Sequence, residues 1–232
     1  MKKIKYFFLF SFFCAAAFTS CKKDRPAEEK IDFGYNYFPG VIGSYIIYSV
    51  DSTHYDQAAH LPDTSFHYLL KEKIESTFLD NSNRPTFRIE RYKKYYNDSI
   101  PYDSMQWALT DVWTETKTTA TLEKKEENVI YVKLVFPVKK GKTWNGNAFN
   151  TFGSQEYEII AADVPQAINN FNFDSVATVK QNENINVIEN IYAEEKFARN
   201  LGLIYKQNDS LYFGAGDTVG YKVRQKIISY GK

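Results

Sequence analysis

Apolar and polar side chains alternate with a period of two along most of this chain, and that rhythm limits its fold more than any other feature. Phe66, Tyr68, Leu70 and Ile74 are interleaved with His67, Lys71 and Lys73, and Tyr221, Val223 and Ile227 with Lys222, Arg224 and Lys226. Neighbouring side chains of a strand point to opposite faces, so both stretches predict strands with one wet face. The run from Val129 to Phe136 is apolar at nearly every residue and predicts a central strand covered on both sides. Further strands are expected over 44–50, 86–96, 105–117, 155–162, 174–181, 185–198, 203–206 and 210–213. Turn residues punctuate them at Asp80-Asn81-Ser82-Asn83, Glu126-Glu127-Asn128, Asn182-Glu183-Asn184 and Asn200-Leu201-Gly202. Only Asp163-Val164-Pro165-Gln166-Ala167-Ile168 carries a helix-start signature, an Asp cap followed by an early Pro. Strands joined by short connections predict an all-β, antiparallel sheet with at most one or two short helices.

Packing has to hold such a sheet without cross-links. Lys2, Lys3 and Lys5 precede an apolar run from Tyr6 to Phe18, which is shorter than the roughly 20 residues of a spanning helix and reads as a secretory signal. Phe18-Thr19-Ser20-Cys21 resembles a bacterial lipobox, with Phe18 where Leu is usual. The resemblance implies that residues 1–20 are removed and that Cys21, carrying diacylglycerol and palmitate, anchors the chain in the outer membrane of a bacterial cell envelope. The other cysteine of the chain, Cys14, leaves with the signal. The folded part then has no thiol, which excludes disulfides, thiolate–metal sites and cysteine nucleophiles. Aromatic residues, 18 Tyr, 18 Phe and 3 Trp in the whole chain, supply the packing and suit half-buried strand faces. Loss of three lysines with the signal leaves 26 Lys+Arg against 28 Asp+Glu, a net −2 from 29 and 28. Near-zero, interspersed charge argues against nucleic acid as a partner.

Residues 21–32 form the lipidated N-terminus and a charged, proline-containing tether, KKDRPAEEKI over 22–31. Extended, those residues reach at most about 30–35 Å. One β-domain is expected over 33–232.

One local pattern occurs twice. Phe38-Pro39-Gly40-Val41-Ile42-Gly43-Ser44-Tyr45 and Phe136-Pro137-Val138-Lys139-Lys140-Gly141-Lys142-Thr143-Trp144 share a Phe-Pro pair, a glycine and a following aromatic. They are either two ordinary turns or the openings of two related halves of one curved sheet. Together with Trp144-Asn145-Gly146-Asn147 and Phe197-Ala198-Arg199-Asn200-Leu201-Gly202-Leu203-Ile204-Tyr205-Lys206, they resemble a group of uncharacterised secreted lipoproteins of Bacteroidota type. The resemblance rests on turn and core signatures and carries over no catalytic residue. By analogy it implies a strongly curved antiparallel sheet or incomplete barrel, similar to that of the Lol lipoprotein carriers.

Motifs for chemistry are sparse. His54, His60 and His67, with Asp56 and Asp63 among them, have spacings that put His60 and His67 on opposite faces of any continuous strand, so no metal site is expected. Gly214-Ala215-Gly216-Asp217-Thr218-Val219-Gly220 is a glycine-rich hairpin turn rather than a dinucleotide loop, because no helix follows it. Nucleophile elbows, zincin motifs and phosphate loops are missing from the sequence. Glu156 and Glu158 share a strand face as a solvated pair. No cofactor is implied. Trp107 and Trp113, six apart and so on one face of an unbroken strand, and Trp144 are the candidate ligand contacts. A tripeptide of Asp, a hydroxyl residue and an apolar residue or Thr recurs around Ser52, Ser99, Ser104, Ser175, Ser210 and Thr218. It resembles an O-glycosylation signal of the same bacterial group, and acceptors of that kind need exposed loops.

The expectation is a non-catalytic binding or carrier module for an apolar or amphipathic ligand. The alternative is a glycan- or protein-binding surface component, and a hydrolase comes third. A cavity lined by Phe, Ile and Val favours the first, exposed Trp and Tyr rings the second, and a cleft with convergent carboxylates the third.

Overall fold

A computed structural model describes residues 31–95, 99–214 and 216–232. The signal, Cys21 and the tether up to residue 30 lie outside the described residues. Twelve strands follow one another: β1 Tyr45–Asp56, β2 Thr64–Leu79, β3 Pro85–Tyr95, β4 Ala108–Lys117, β5 Thr121–Glu126 and β6 Val129–Val135, then β7 Thr143–Asn145, β8 Glu156–Ile168, β9 Phe171–Ile185, β10 Glu189–Ala198, β11 Gly202–Gly214 and β12 Asp217–Gly231. They form one 12-stranded sheet in the order β6-β5-β4-β3-β2-β1-β12-β11-β10-β9-β8-β7. All pairings are antiparallel, and the sheet curls into a nearly closed barrel with one unsealed seam. The first and last strands are sealed together, so the gap falls mid-chain, between β6 and β7. Helical structure among the described residues is limited to short 3-10 turns, such as Tyr35–Tyr37.

Several sequence expectations are corrected. Asp163 to Ile168 is not a helix but the end of β8. Asp163 takes a left-handed φ of 57°, and its carboxylate serves distant partners instead of capping. Pro165 falls in a register shift between Val164 and Gln166, where a missing N–H breaks no ladder bond. Asn182-Glu183-Asn184 is not a turn, since these residues pair with Ala193, Tyr192 and Ile191. The expected strands 203–206 and 210–213 are one strand. Gln207 and Asp209, the polar break between them, are bonded to each other and, through Asp209, to Arg224 on β12. The strands β5 and β7 were not legible at all. Val129 to Val135 is an edge strand, not a central one, although Val132, Leu134 and Phe136 are buried.

The two Phe-Pro motifs are related halves in their hydrogen bonding. The Gly43 N–H donates to Ile74 O (2.8 Å), the Ile74 N–H to Ser44 O (2.9 Å), and the Ser44 N–H to Val41 O (3.1 Å). The second motif repeats this with Gly141 to Ile159 (2.7 Å), Ile159 to Lys142 (3.0 Å) and Lys142 to Lys139 (3.3 Å). Gly43 and Gly141 have φ of 87° and 81°, a left-handed geometry that glycine adopts without strain. Ile74 lies on β2 and Ile159 on β8, so each motif opens a six-stranded meander and clasps its second strand.

Buried apolar residues form two clusters. In one, residues 33–38 cross an end of the barrel and bury Tyr37 and Phe38 against Leu122, Leu134, Phe136, Ile159, Val179 and Phe197; the other gathers Tyr48, Val50, Leu70, Val176, Ile204 and Ile227. Phe38 meets Phe87 edge-on at 5.3 Å, and Phe136 meets Tyr35 at 4.8 Å. This end is plugged. At the other end, the β1–β2 and β9–β10 loops lie at an open rim.

Candidate functional site

The inside of the barrel is the natural place for a ligand, and it is occupied by ion pairs. Register puts Glu72 opposite Arg91, Glu115 opposite Lys124, and Glu195 opposite Lys206. Opposite charges on neighbouring strands attract directly. Further bonds cross between non-adjacent strands: Lys124 Nζ reaches Glu72 Oε2 (3.1 Å), and Lys133 Nζ reaches Glu195 Oε1 (3.0 Å). Lys133 also holds Glu126 (2.9 Å), and the Arg91 guanidinium lies 3.4 Å from the centre of the Trp113 ring. Although burial pushes the Glu126 carboxyl up, Lys133 and its neighbours hold it well below the usual range. Burial raises Glu115, whose link to Lys124 compensates only in part. Lys133 is charged because Glu126 and Glu195 overcome its desolvation.

Little space is left. A cavity of about 60 Å³ lies next to the plug, lined by Phe38, Tyr48, Ile74, Leu122, Glu72 and Glu115 among others. A second, of about 30 Å³, lies among the ion pairs. On that measure of volume one water needs roughly 10–15 Å³. The Gln225 amide nitrogen lines the smaller space, buried without a partner, as expected beside a site of a few waters. Carboxylates do converge here, yet each faces a cation and no room remains for a substrate.

A polar lock holds the plug. Asp163 accepts from Tyr37 Oη (2.9 Å), Arg199 Nε (2.5 Å) and Ser175 Oγ. Arg199 Nη1 donates to Asn36 (2.8 Å), and the guanidinium stands 4.8 Å from the Tyr37 ring centre. The Arg199 hydrogen bond, aided by Ser175 and Tyr37, brings the Asp163 pKa down to about 2.

The three tryptophans do not share a site. Trp113 belongs to the interior, under Arg91. Trp144 closes the seam, its Nε1 donating to Val132 O (2.8 Å) and its ring against Tyr157. Trp107 stands at the surface below Lys71, 4.9 Å from the ring centre. The strand between Trp107 and Trp113 is not unbroken. Arg91 pairs with Asp111 and Tyr92 with Leu109, so Thr110 is an extra residue, and a bulge switches the face of all that precedes it.

His54, His60 and His67 are exposed and do not converge, and no cluster that could hold a metal exists among the described residues. His67 instead bonds Asp51 (2.8 Å). Of the hydroxyl residues, Ser99 and Ser104 are exposed between β3 and β4. Ser52, Ser175, Ser210 and Thr218 are half-buried within strands, which corrects the expectation of loops. The Ser175 hydroxyl is engaged by Asp163 and Arg199. Around the open rim, Phe66, Tyr95, Tyr212 and Phe213 are exposed, and Tyr68 lies 5.7 Å from Tyr95.

Sequence reasoning missed the inner ion pairs. Their only signal was a charge at positions where alternation calls for an apolar residue, as at Glu72 between Leu70 and Ile74. The chain matches no protein-family model, no curated protein and no solved structure.

Proposed function

We propose that this protein is a lipid-anchored, non-catalytic component of the bacterial envelope that binds a glycan or protein partner on its outer surface. The observation that carries this reading is the filled interior: spaces of about 60 and 30 Å³, a plugged end, and ion pairs where an acyl chain would lie. The exposed aromatic rings Phe66 and Tyr95 stand at the rim, on the strand faces that carry Glu72 and Arg91 deeper in. Burying a charged network against hydrocarbon is costly, so the apolar-ligand carrier draws support from the barrel shape alone. For a hydrolase, the carboxylates that converge in the lumen are each held by a cation, which leaves that reading without a catalytic pair there. Lipidation at Cys21 belongs to the same reading. Two or three acyl chains anchor firmly, at about 0.8 kcal/mol per buried methylene.

Displacement of a fluorescent fatty acid tests it. The full mature protein is expected to leave the probe's emission unchanged, while an array of glycans and envelope proteins yields a binder. Stoichiometric uptake of the fatty acid returns the carrier to first place. For the anchor, Cys21→Ser is expected to abolish detergent-phase partitioning or to leave the signal attached.

A further inference from the structure

Above the ion pairs the lumen opens into a cup. The inward face of each strand is identified by the groups that line the inner spaces: Tyr48 on β1, Glu72 on β2, Arg91 on β3, Gln225 on β12 and Lys206 on β11. Register runs unbroken from these toward the rim. Steps of two therefore put His54, Phe66, Tyr95, Tyr221 and Ser210 on the same inner wall. Burial falls along that wall. On β2, Leu70 is 1% exposed, Tyr68 is half-buried and Phe66 is 50% exposed, and on β1 the series runs from buried Val50 through Ser52 to exposed His54. Roughly eight strands enclose the space that side chains fill, and diameter grows with strand number. Twelve strands leave a mouth that the plug and the ion pairs do not fill.

A belt of rings follows this wall. Tyr95 on β3 lies 5.7 Å from Tyr68 on β2. Phe66, the next inward residue of β2, meets His54 edge-on at 6.0 Å, and His54 lies 6.2 Å from Tyr221 on β12. The belt ends on β11, where Asn208 Nδ2 donates to Tyr221 Oη (3.3 Å). Five adjacent strands spaced by about 4.8 Å give it a span of about 19 Å. Phe66 and Tyr95, with Ser65 and His67, border an open cleft of about 490 Å³, within the roughly 300–1,000 Å³ of small-ligand sites.

The chemistry of the belt suits a sugar. Aromatic faces set among hydroxyl and amide groups match a saccharide, whose C–H faces stack on rings while its hydroxyls take hydrogen bonds. An acyl chain would strip water from Asn208, Ser210 and the ion pairs below them without replacing its hydrogen bonds. A peptide that adds a strand needs an open edge, and the five strands of the belt are each paired on both sides. Charge on the wall is sparse and engaged: Lys93 lies over the Tyr68 ring at 5.5 Å, and Asp111 is bonded by Arg91. The wall favours a neutral ligand over a charged one.

We infer that the mouth of the barrel binds a neutral oligosaccharide along this belt, its sugar faces on Phe66, Tyr95 and Tyr221 and its hydroxyls toward Asn208 and Ser210. The inference rests on the reading above, that a glycan or protein partner binds at exposed rings, and narrows both the place and the ligand.

The test titrates neutral oligomers of glucose, mannose, galactose and xylose, polygalacturonate and a fluorescent fatty acid against the full mature protein in detergent. At least one neutral oligomer is expected to bind, with an affinity that salt barely changes because no ion pair forms. The pair Phe66→Ala with Tyr95→Ala is expected to weaken it about tenfold through lost stacking. Tyr95→Phe, which keeps the ring, is expected to change it less than about twofold. So is the pair Phe78→Ala with Leu79→Ala, which removes exposed apolar side chains at the far end of β2. Thermal melting shows whether each variant is folded. Should the Phe66 and Tyr95 pair melt early, Tyr95→Ala at the last residue of β3 takes its place, with about threefold weakening expected. Binding untouched by the mouth variants, or weakened equally by the Phe78 and Leu79 pair, overturns the inference and leaves the surface-binding reading standing. Polygalacturonate bound more tightly than every neutral oligomer has the same consequence, as does an envelope protein bound when no saccharide is. Uptake of the fatty acid that is lost in the mouth variants overturns both.

Discussion

Two junctions join the halves of this meander, and they differ greatly. Where β1 meets β12, register continues through all 12 residues of β1, from Tyr45 opposite Gly231 to Asp56 opposite Val219. Where β6 meets β7, one backbone bond is made, from the Val132 N–H to Gly146 O (2.9 Å). Side chains complete that seam: Trp144 Nε1 to Val132 O (2.8 Å), Asn150 Nδ2 to Ile130 O (2.9 Å) and Lys142 Nζ to Phe136 O (2.7 Å). Both junctions begin from the same Phe-Pro motif with the same clasp on an isoleucine. The strand that follows decides the outcome. β1 continues for 12 residues, while β7 stops after 3. There Asn145 turns its Oδ1 onto the amides of Asn147 and Gln155 (3.0 Å each), and Gly146 lies on the Tyr157 ring, where a Cβ would come within 2.3 Å. A repeated motif fixes a turn but not the length of the ladder beyond it.

If the two motifs are equivalent in the core, truncating either phenylalanine has the largest effect. Phe136→Ala and Phe38→Ala are each expected to cost ~3–5 kcal/mol in denaturant unfolding, as for other buried aromatics. A midpoint unmoved by Phe136→Ala breaks the equivalence and the assignment of 136 to the core. Next comes the ion pair that ties the seam strand across the lumen. Glu195→Leu leaves Lys133 with one acid instead of two and is expected to cost about 3 kcal/mol. Adding Lys133→Met strips Glu126 of its cation as well, so the double variant is expected to be no more stable than the single one; a double variant restored to the parent's stability shows that Glu126 does not depend on Lys133.

The seam itself is sharpened by Trp144→Phe, which removes one hydrogen bond. A loss of about 0.5–1.5 kcal/mol is expected, with faster amide exchange in β6 and none in β1. Equal acceleration in both strands would mean that the seam does not open separately. The smallest effect concerns the plug, which Asp163 and Arg199 bind to the second half only. The folded pKa of Asp163 is about 2, below its ordinary value of 3.8, so its contribution is present above the unfolded value and lost as pH falls through about 2. Asp163→Asn is expected to lower the melting temperature at neutral pH, the gap to the parent protein closing between pH 4 and 2. A gap that persists at pH 2 assigns the loss to packing. Because the carboxylate is half exposed, solvent screens much of this contribution.

The legible part of the fold was local. Lys222 to Ile227 reads as a one-sided strand because its neighbours in sequence alternate, and β12 is such a strand. Phe136 and Leu134 read as core and are buried. The helix expected at Asp163 failed because the Asp-Pro signature is equally satisfied by a kinked strand whose carboxylate is claimed by Arg199, 36 residues away. Trp107 and Trp113 were given one face because a bulge leaves no mark in the spacing. The lysines of 222–226 and 71–73 were legible as the wet sides of two strands, whereas the charges of the lumen, such as Glu72 beside Leu70 and Ile74, were not legible as ion pairs.

What the sequence by itself determined was the class of structure: alternation made strands, turn residues and left-handed glycines ended them, and a folded part without thiols had to rest on packing. Strand order, the position of the seam and the filling of the lumen were decided only in three dimensions. Lys133 and Glu195 are 62 residues apart and meet because the sheet curls, and β1 and β12 become neighbours because the two meanders seal along them. A strand's pattern specifies which side is wet. Pairing between distant strands is set by closing the whole sheet, where charges and rings must find partners that no local pattern contains.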